Sequence, residues 1–220
     1  MVNSPNRSMC GLILAGGRNT RMGGKLKAAL PYAGTTVLER IAVTMAEHCR
    51  HIYVAVAADT PVALLRIEET EQSAGVPILV RVDQHAAIGP LGGIFTALRS
   101  EAQRADCAHT VWVSAGDMPF VSSAAAALML AHIRNEVDAA VPHVDGRKQP
   151  LQAIYRTQAL YRAVAACIDG DDHSMRKLLS QLRVAYLDDA AWEAAGIDRR
   201  FVYNVNTPRD YTRALEEEGR

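Results

Sequence analysis

The chain has 220 residues, of which 49% are apolar, 22% charged and only 5% aromatic. That length fits one globular domain, or one and a small extra, and the composition is that of an ordinary soluble globular fold. The 24 basic and 24 acidic side chains cancel, which argues against a binder of nucleic acid or of an anionic membrane, both of which need a basic excess.

Residues 1–8 are polar, contain Pro5, and read as a disordered lead-in. Residues 9–220 read as a single domain. Met9 to Leu14 is a short apolar run ending in glycines, a buried strand. The apolar stretch from Met9 to Ala15 is too short for a signal-peptide core, and glycines and arginines follow it in place of a cleavage site. Thr35 or Thr36 can cap a helix running to about Cys49, and His51 to Ala57 is a β-branched second strand. Thr60-Pro61 reads as a cap and first helical proline, opening a helix to about Gln72. Ile78 to Val82 is a third strand. The glycines of 89–93 precede a helix to about Gln103, and Thr110 to Ala115 is a fourth strand. Ser122 caps a helix to about Asn135. Short strands are expected at 139–142 and 151–155, helices at 157–168, 174–182 and 208–218, and a strand near 201–203. No apolar run approaches the roughly 18–20 residues of a membrane span.

Strand–helix alternation predicts an α/β fold with parallel strands and helices on both faces. The alternation fades after residue 140, where a mixed-sheet part is expected, forming a lobe over the site. Ligands in such sheets bind beyond the carboxyl ends of the strands, and the notable motifs fall there. LAGGRNTRMGG, residues 14–24, follows the first strand. Gly16 and Gly17 let the backbone approach a ligand, and exposed amides in such a loop form an anion-binding concavity. Arg18, Arg21, Lys25 and Lys27 put cations beside it, which suits a triphosphate, although Arg18 and Lys25 taken singly read equally well as solvated charges. The loop matches neither GxxxxGK[ST] nor GxGxxG.

In VSAGDMPF, residues 113–120, a strand delivers Asp117 to its carboxyl end, where one carboxylate can hold Mg²⁺ together with substrate phosphates. In VDQHAAIGPLGG, residues 82–93, Asp83 ends the third strand, and free amides at the following helix start can meet a ligand. His85 reads as a loop residue. Asn204 and Asn206 in NVNTPRDY can ligate a metal or phosphate, or cap the backbone. His48 and His51, at helical spacing, read as surface residues. Cys10, Cys49, Cys107 and Cys167 form no CxxC pair and read as four buried thiols of a reducing cytoplasm. GxSxG, HExxH and EF-hand patterns are absent.

LAGGRNTRMGG with Lys27, then GPLGG, GDMPF and NVNTP, taken in order, resemble the molybdenum cofactor guanylyltransferases from about residue 9 to 218. The resemblance implies a glycosyltransferase-A-like nucleotidyltransferase fold: a three-layer, mostly parallel, Rossmann-like sheet with a small mixed-sheet C-terminal part. It implies a Mg²⁺-dependent enzyme that moves GMP from GTP to molybdenum-bearing molybdopterin and releases pyrophosphate. By position, Leu14, Ala15, Gly16 and Gly17 would contact the nucleotide, and Lys27 its phosphates. Asp83 and the loop of Gly89, Pro90, Leu91 and Gly92 would help hold it. Asp117 would bind Mg²⁺ and GTP, with Asn206 as a further metal ligand, and Lys27, Arg21 and Asp117 would be catalytic. LAGG and GPLGG favour guanine over the LAAG of related cytidylyltransferases. The chain departs from the family at Leu26, where many members have Asp, at Gly92 for Ala, at Ala55 where some have Asn, and at Gln149 where others have His.

The expectation is a cytoplasmic protein that works as a monomer, with no nucleic-acid or membrane partner, in transient contact with cofactor-inserting proteins or molybdoenzymes. The competing readings are a cytidylyltransferase for the same cofactor, a sugar-phosphate nucleotidyltransferase, and a non-catalytic nucleotide-binding cofactor carrier.

Overall fold

The computed structural model describes residues 7–17 and 24–218. Its first strand, β1 (Met9–Leu14), is buried on both sides. Met9 and Ile13 point into one apolar layer, Cys10 and Leu12 into the other. Continuous apolarity of this kind is what a parallel strand between two helical layers requires. β2 (Pro31–Tyr32) and β3 (Thr35–Thr36) form a small antiparallel pair. They lead into α1 (Val37–Met45), whose cap is Thr36, accepting from Glu39 N at 3.1 Å.

β4 (Cys49–Val56), α2 (Ile67–Ala74), β5 (Ile78–Val82), α3 (Pro90–Ala102) and β6 (Thr110–Ala115) continue the alternation. There follow α4 (Ser123–His132), β7 (Ala139–Val144), β8 (Arg147–Lys148), β9 (Gln152–Arg156), α5 (Thr157–Ile168), α6 (Met175–Ser180), β10 (Val184–Leu187), α7 (Asp189–Ala194) and α8 (Pro208–Glu218). The strands assemble in the order β10-β7-β9-β6-β1-β4-β5, with β8 beside β7. β5, β4, β1 and β6 are mutually parallel, β9 is antiparallel to β6 and β7, and β10 is parallel to β7. Helices α1, α2, α4, α7 and α8 pack on one face, and α3, α5 and α6 on the other. The connection from β1 runs outward to β4 and β5, while that from β5 returns across the sheet to β6. The order therefore reverses at the β1/β6 boundary, where a crevice must open at the carboxyl edge.

Several sequence expectations are corrected. α1 stops at Met45, and Cys49 already belongs to β4. Thr60-Pro61 opens no α-helix: a 3₁₀ turn at Val62–Leu65 ends on Arg66 at φ 48°, and α2 starts only at Ile67. The expected strand near 201–203 is a 3₁₀ turn at Arg199–Val202 with Phe201 buried in the core. β10 and α7 replace what read as featureless chain. The mixed C-terminal strands extend the main sheet, so they build no separate lobe.

His51 is not a surface residue. With α1 ended early, it lies in β4, 3% exposed, its Nε2 2.8 Å from the Glu101 carboxylate. His48 Nε2 lies 2.9 Å from Ser123 Oγ in a part-buried position. All four cysteines are free, and three are buried, while Cys107 is half-buried. Among the described residues no helix is long and apolar enough to cross a membrane.

Candidate active site

A cavity of about 820 Å³ opens at the carboxyl edge, walled by the chain that follows β1, β4, β5 and β6. Two glycines draw these segments together. Gly116 N donates to Leu14 O at 2.9 Å, and a Cβ on Gly116 would lie 2.9 Å from that oxygen and 3.2 Å from Ala15 Cα. Only glycine fits there, and its fit sets Asp117 against the first loop. Gly93, in the first turn of α3, is the second. Its Cβ would lie 3.1 Å from Leu14 Cδ2 and 3.2 Å from Ala55 Cβ. The turn into α3 is made by Gly89 at φ 68°, followed by Pro90 in the first turn.

The charged centre joins three parts of the chain. Lys27 starts a short 3₁₀ turn, Lys27–Ala29, that follows the first loop. Its Nζ donates to Asp117 Oδ2 at 2.9 Å and to Asn206 Oδ1 at 2.8 Å. The Lys27 and Asp117 side chains are each 17% exposed. Asp117 Oδ1 is buried and, among the described residues, has no hydrogen-bond partner. The carbonyl of Asp117 accepts from Val205 N at 2.8 Å, which ties the segment before α8 to the end of β6. Asp83 N donates to Val56 O at 2.7 Å, and Asp83 Oδ1 accepts from His85 N at 2.7 Å.

Of the sequence candidates, Leu14, Ala15, Gly16, Gly17, Lys27, Asp83, Gly89, Pro90, Asp117 and Asn206 line the cavity. Leu91 and Gly92 do not. The Leu91 side chain is buried in the α3–α5 core, and Gly92 packs so closely on Asp83 that a Cβ there would lie 2.5 Å from Oδ1. Asn204 turns away, its Nδ2 donating to Val202 O at 3.0 Å, so its role is to brace the backbone. His85 sets its ring edge on Phe95 at 5.6 Å. Lys25 is exposed and off the wall, while Arg18 and Arg21 lie outside the described residues.

Asp59 and Leu151 line the cavity unannounced. Asp59 follows β4 much as Asp83 follows β5, so the strand-end rule could have found it. Reading Thr60-Pro61 as a helix cap hid it.

A divalent cation of the Mg²⁺ kind takes oxygen ligands, usually one or two carboxylates, with substrate phosphates completing its shell. The unpartnered Oδ1 of Asp117 and the amide oxygen of Asn206 fit that donor set. The group Cys10, His51 and Glu101, whose ligand atoms lie within 4.8 Å of one another, is different. It lies at the opposite edge of the sheet, and its carboxylate already accepts from His51, Tyr53 and Ala108 N with Arg50 and Arg104 both 3.8 Å away. It reads as a charge-balanced structural hub.

A switch-point crevice holding a glycine loop, a lysine and a strand-end aspartate belongs to the nucleotide-handling α/β enzymes. A family model described as a MobA-like NTP transferase domain matches residues 11–186, and the chain belongs to this family of nucleotidyltransferases. It is 32% identical, over 94% of its length and 96% of the relative's, to a probable molybdenum cofactor guanylyltransferase of Bacillus cereus strain G9842. A protein of the same description from Bacillus anthracis is 31% identical over the same shares. Among solved structures, molybdopterin-guanine dinucleotide biosynthesis protein A of Archaeoglobus fulgidus superposes with a TM-score of 0.69 at 22% identity, covering 96% of this chain and 99% of the other. The 4-diphosphocytidyl-2C-methyl-D-erythritol synthase of Anaerococcus prevotii reaches 0.68 at 11% identity, covering 96% and 98%. These two likenesses establish the shared sheet and helical layers.

Proposed function

We propose that the chain transfers GMP from GTP to molybdenum-bearing molybdopterin, forming the guanine dinucleotide cofactor and releasing pyrophosphate. The observation that carries this reading is the convergence of Lys27, Asp117 and Asn206 on the wall of the cavity. Cavities of about 300–1,000 Å³ are the usual size for such ligands, and this one suits a nucleoside triphosphate. The guanine assignment draws on LAGG and GPLGG and on the names of the Bacillus relatives.

The reaction is an in-line displacement. The terminal phosphate of molybdopterin attacks the α-phosphorus of GTP, a P–O bond forms, the bond to the β-phosphate breaks, and pyrophosphate leaves. Such transfers depend on positioning and charge neutralisation. The attacking group is already an anion, so no strong base is needed. Lys27 exchanges its contact with Asp117 for phosphate oxygens and stabilises the charge gathering on the leaving group. Arg21 is assigned the same task on the sequence resemblance. The amides of the Gly16–Gly17 loop and of the α3 start cradle the triphosphate. Asp117 Oδ1 would hold Mg²⁺, which would supply charge neutralisation to phosphate oxygens, while Asn206 Oδ1 keeps its hydrogen bond from Lys27 Nζ.

The same reading takes residues 9–220 as one cytoplasmic nucleotidyltransferase domain, working as a monomer and handing product to cofactor-inserting proteins or molybdoenzymes. It is tested by mass analysis of the product after incubation with molybdenum-loaded molybdopterin, Mg²⁺ and an equimolar nucleotide mixture. A guanine dinucleotide supports the reading. A cytosine dinucleotide overturns the base assignment, and free nucleotides alone overturn the acceptor.

A further inference from the structure

We propose that Asp210 is a positioning residue that acts through Asn206 to hold Lys27 at the reacting phosphates, an inference that rests on the function proposed above. Asp210 sits in the first turn of α8. Its Oδ2 accepts from Thr207 N at 2.7 Å, while its own N donates to Thr207 Oγ1 at 3.2 Å. These two bonds form a reciprocal capping box and are explained by the helix alone. A third bond is not. Asp210 Oδ2 also accepts from Asn206 N at 3.0 Å, a backbone amide one residue outside the box, which belongs to no helix.

That third bond fixes the backbone of the residue whose side-chain oxygen accepts a hydrogen bond from Lys27 Nζ at 2.8 Å. The neighbouring residue is pinned from the other side, Val205 N donating to Asp117 O at 2.8 Å. Asp210 is pinned in turn by the Tyr203 hydroxyl, which donates to its carbonyl at 3.1 Å. A run of hydrogen bonds thus leads from α8 through Asp210 and Asn206 to Lys27, and the run closes on Asp117. Lysine has a flexible four-carbon stem, so its ammonium keeps a fixed place only if its acceptors are fixed. The cap explains Asp210 as a stabiliser of α8, and the Asn206 amide makes it a support of the site.

The test is a double-mutant cycle with one control. Asp210→Ala should lower kcat by about 10–100-fold, the scale for losing a hydrogen-bonded support of a reacting centre. In an Asn206→Ala background the same change should cost little more, because the route to Lys27 is already cut. Thr207→Ala breaks only the helix-facing half of the box. It should lower the melting temperature while leaving kcat within about twofold. Asp210→Asn, which keeps an acceptor oxygen, should recover most of the rate and covers the case in which the alanine variant folds poorly. Full additivity of Asp210→Ala and Asn206→Ala, or a rate loss in Thr207→Ala equal to that of Asp210→Ala, overturns the inference. Amide hydrogen exchange separates it from the functional reading. With or without turnover, exchange at Asn206 N should quicken in Asp210→Ala and stay put in Thr207→Ala, and equal exchange in the two refutes the positioning role.

Discussion

Replacement of Lys27 by alanine isolates the centre of the site. The ammonium makes two hydrogen bonds, 2.9 Å to Asp117 Oδ2 and 2.8 Å to Asn206 Oδ1. Removing it leaves the Asp117 carboxylate with both oxygens short of side-chain donors, since Oδ1 is already unpartnered among the described residues. A hydrogen bond to a charged group contributes about 1.5–3 kcal/mol, and the 17% exposure of both side chains leaves water to offset part of the loss. The expected destabilisation is about 1–2 kcal/mol, a fall in melting temperature of roughly 2–8 °C for a domain of this size. The chain remains folded at 25 °C, since domains carry about 5–15 kcal/mol. The rate should fall by about 10²–10³, the effect of losing one transition-state electrostatic contact. Single-turnover pyrophosphate release and calorimetry on one preparation measure both. A rate within about threefold of the parent refutes the role of Lys27. A collapse of the fold refutes the assignment of its bonds to the site.

Two further outcomes follow from close packing and from buried charge. Gly92→Ala places a Cβ 2.5 Å from Asp83 Oδ1 and 2.6 Å from His85 O. The carboxylate can swing aside but the backbone carbonyl cannot, so the variant should lose about 1–3 kcal/mol by overpacking. Its nucleotide affinity should fall with the displaced Asp83, as thermal melts and nucleotide titration will read. Glu101 gives a pH dependence. Burial pushes its carboxyl up, but hydrogen bonds from His51, Ala108 N and Tyr53 outweigh burial and hold it below the usual glutamate range. A depressed folded-state value stabilises the fold above the unfolded glutamate value of about 4.3, and the contribution is lost as pH falls through the folded value. Parent minus Glu101→Gln stability should therefore shrink steadily below about pH 4.3. A difference that grows on acidification contradicts the hub.

The fold was legible where one local signal sufficed. β1, β5 and β6 are short runs dominated by apolar and β-branched residues, and the sequence reading recovers their bounds to the residue. Ser122 caps α4 by accepting from Ala125 N, as an N-terminal serine should. The reading failed where the outcome depended on a distant part of the chain. Nothing near Arg66 announces its left-handed backbone. β10 is only four residues long and mostly not buried, and it pairs with the edge that β7 offers. His51 looked like a surface residue because its partner, Glu101, lies 50 residues away.

The site divides the same way. The sequence motifs named half of the wall in advance. Packing against distant chain decided that Asn206 faces Lys27 while Asn204 braces Val202 O. The Asn206–Asp210 bond is a three-dimensional fact with no signature beyond the capping pattern.

The most direct measurement is pyrophosphate release by the purified protein with Mg²⁺ and molybdenum-loaded molybdopterin, comparing GTP, CTP, ATP and UTP, with Lys27→Ala beside the parent. The account predicts release with GTP, little with the other three, and loss of release in the variant. Silence with all four nucleotides, or equal release from parent and variant, would contradict it.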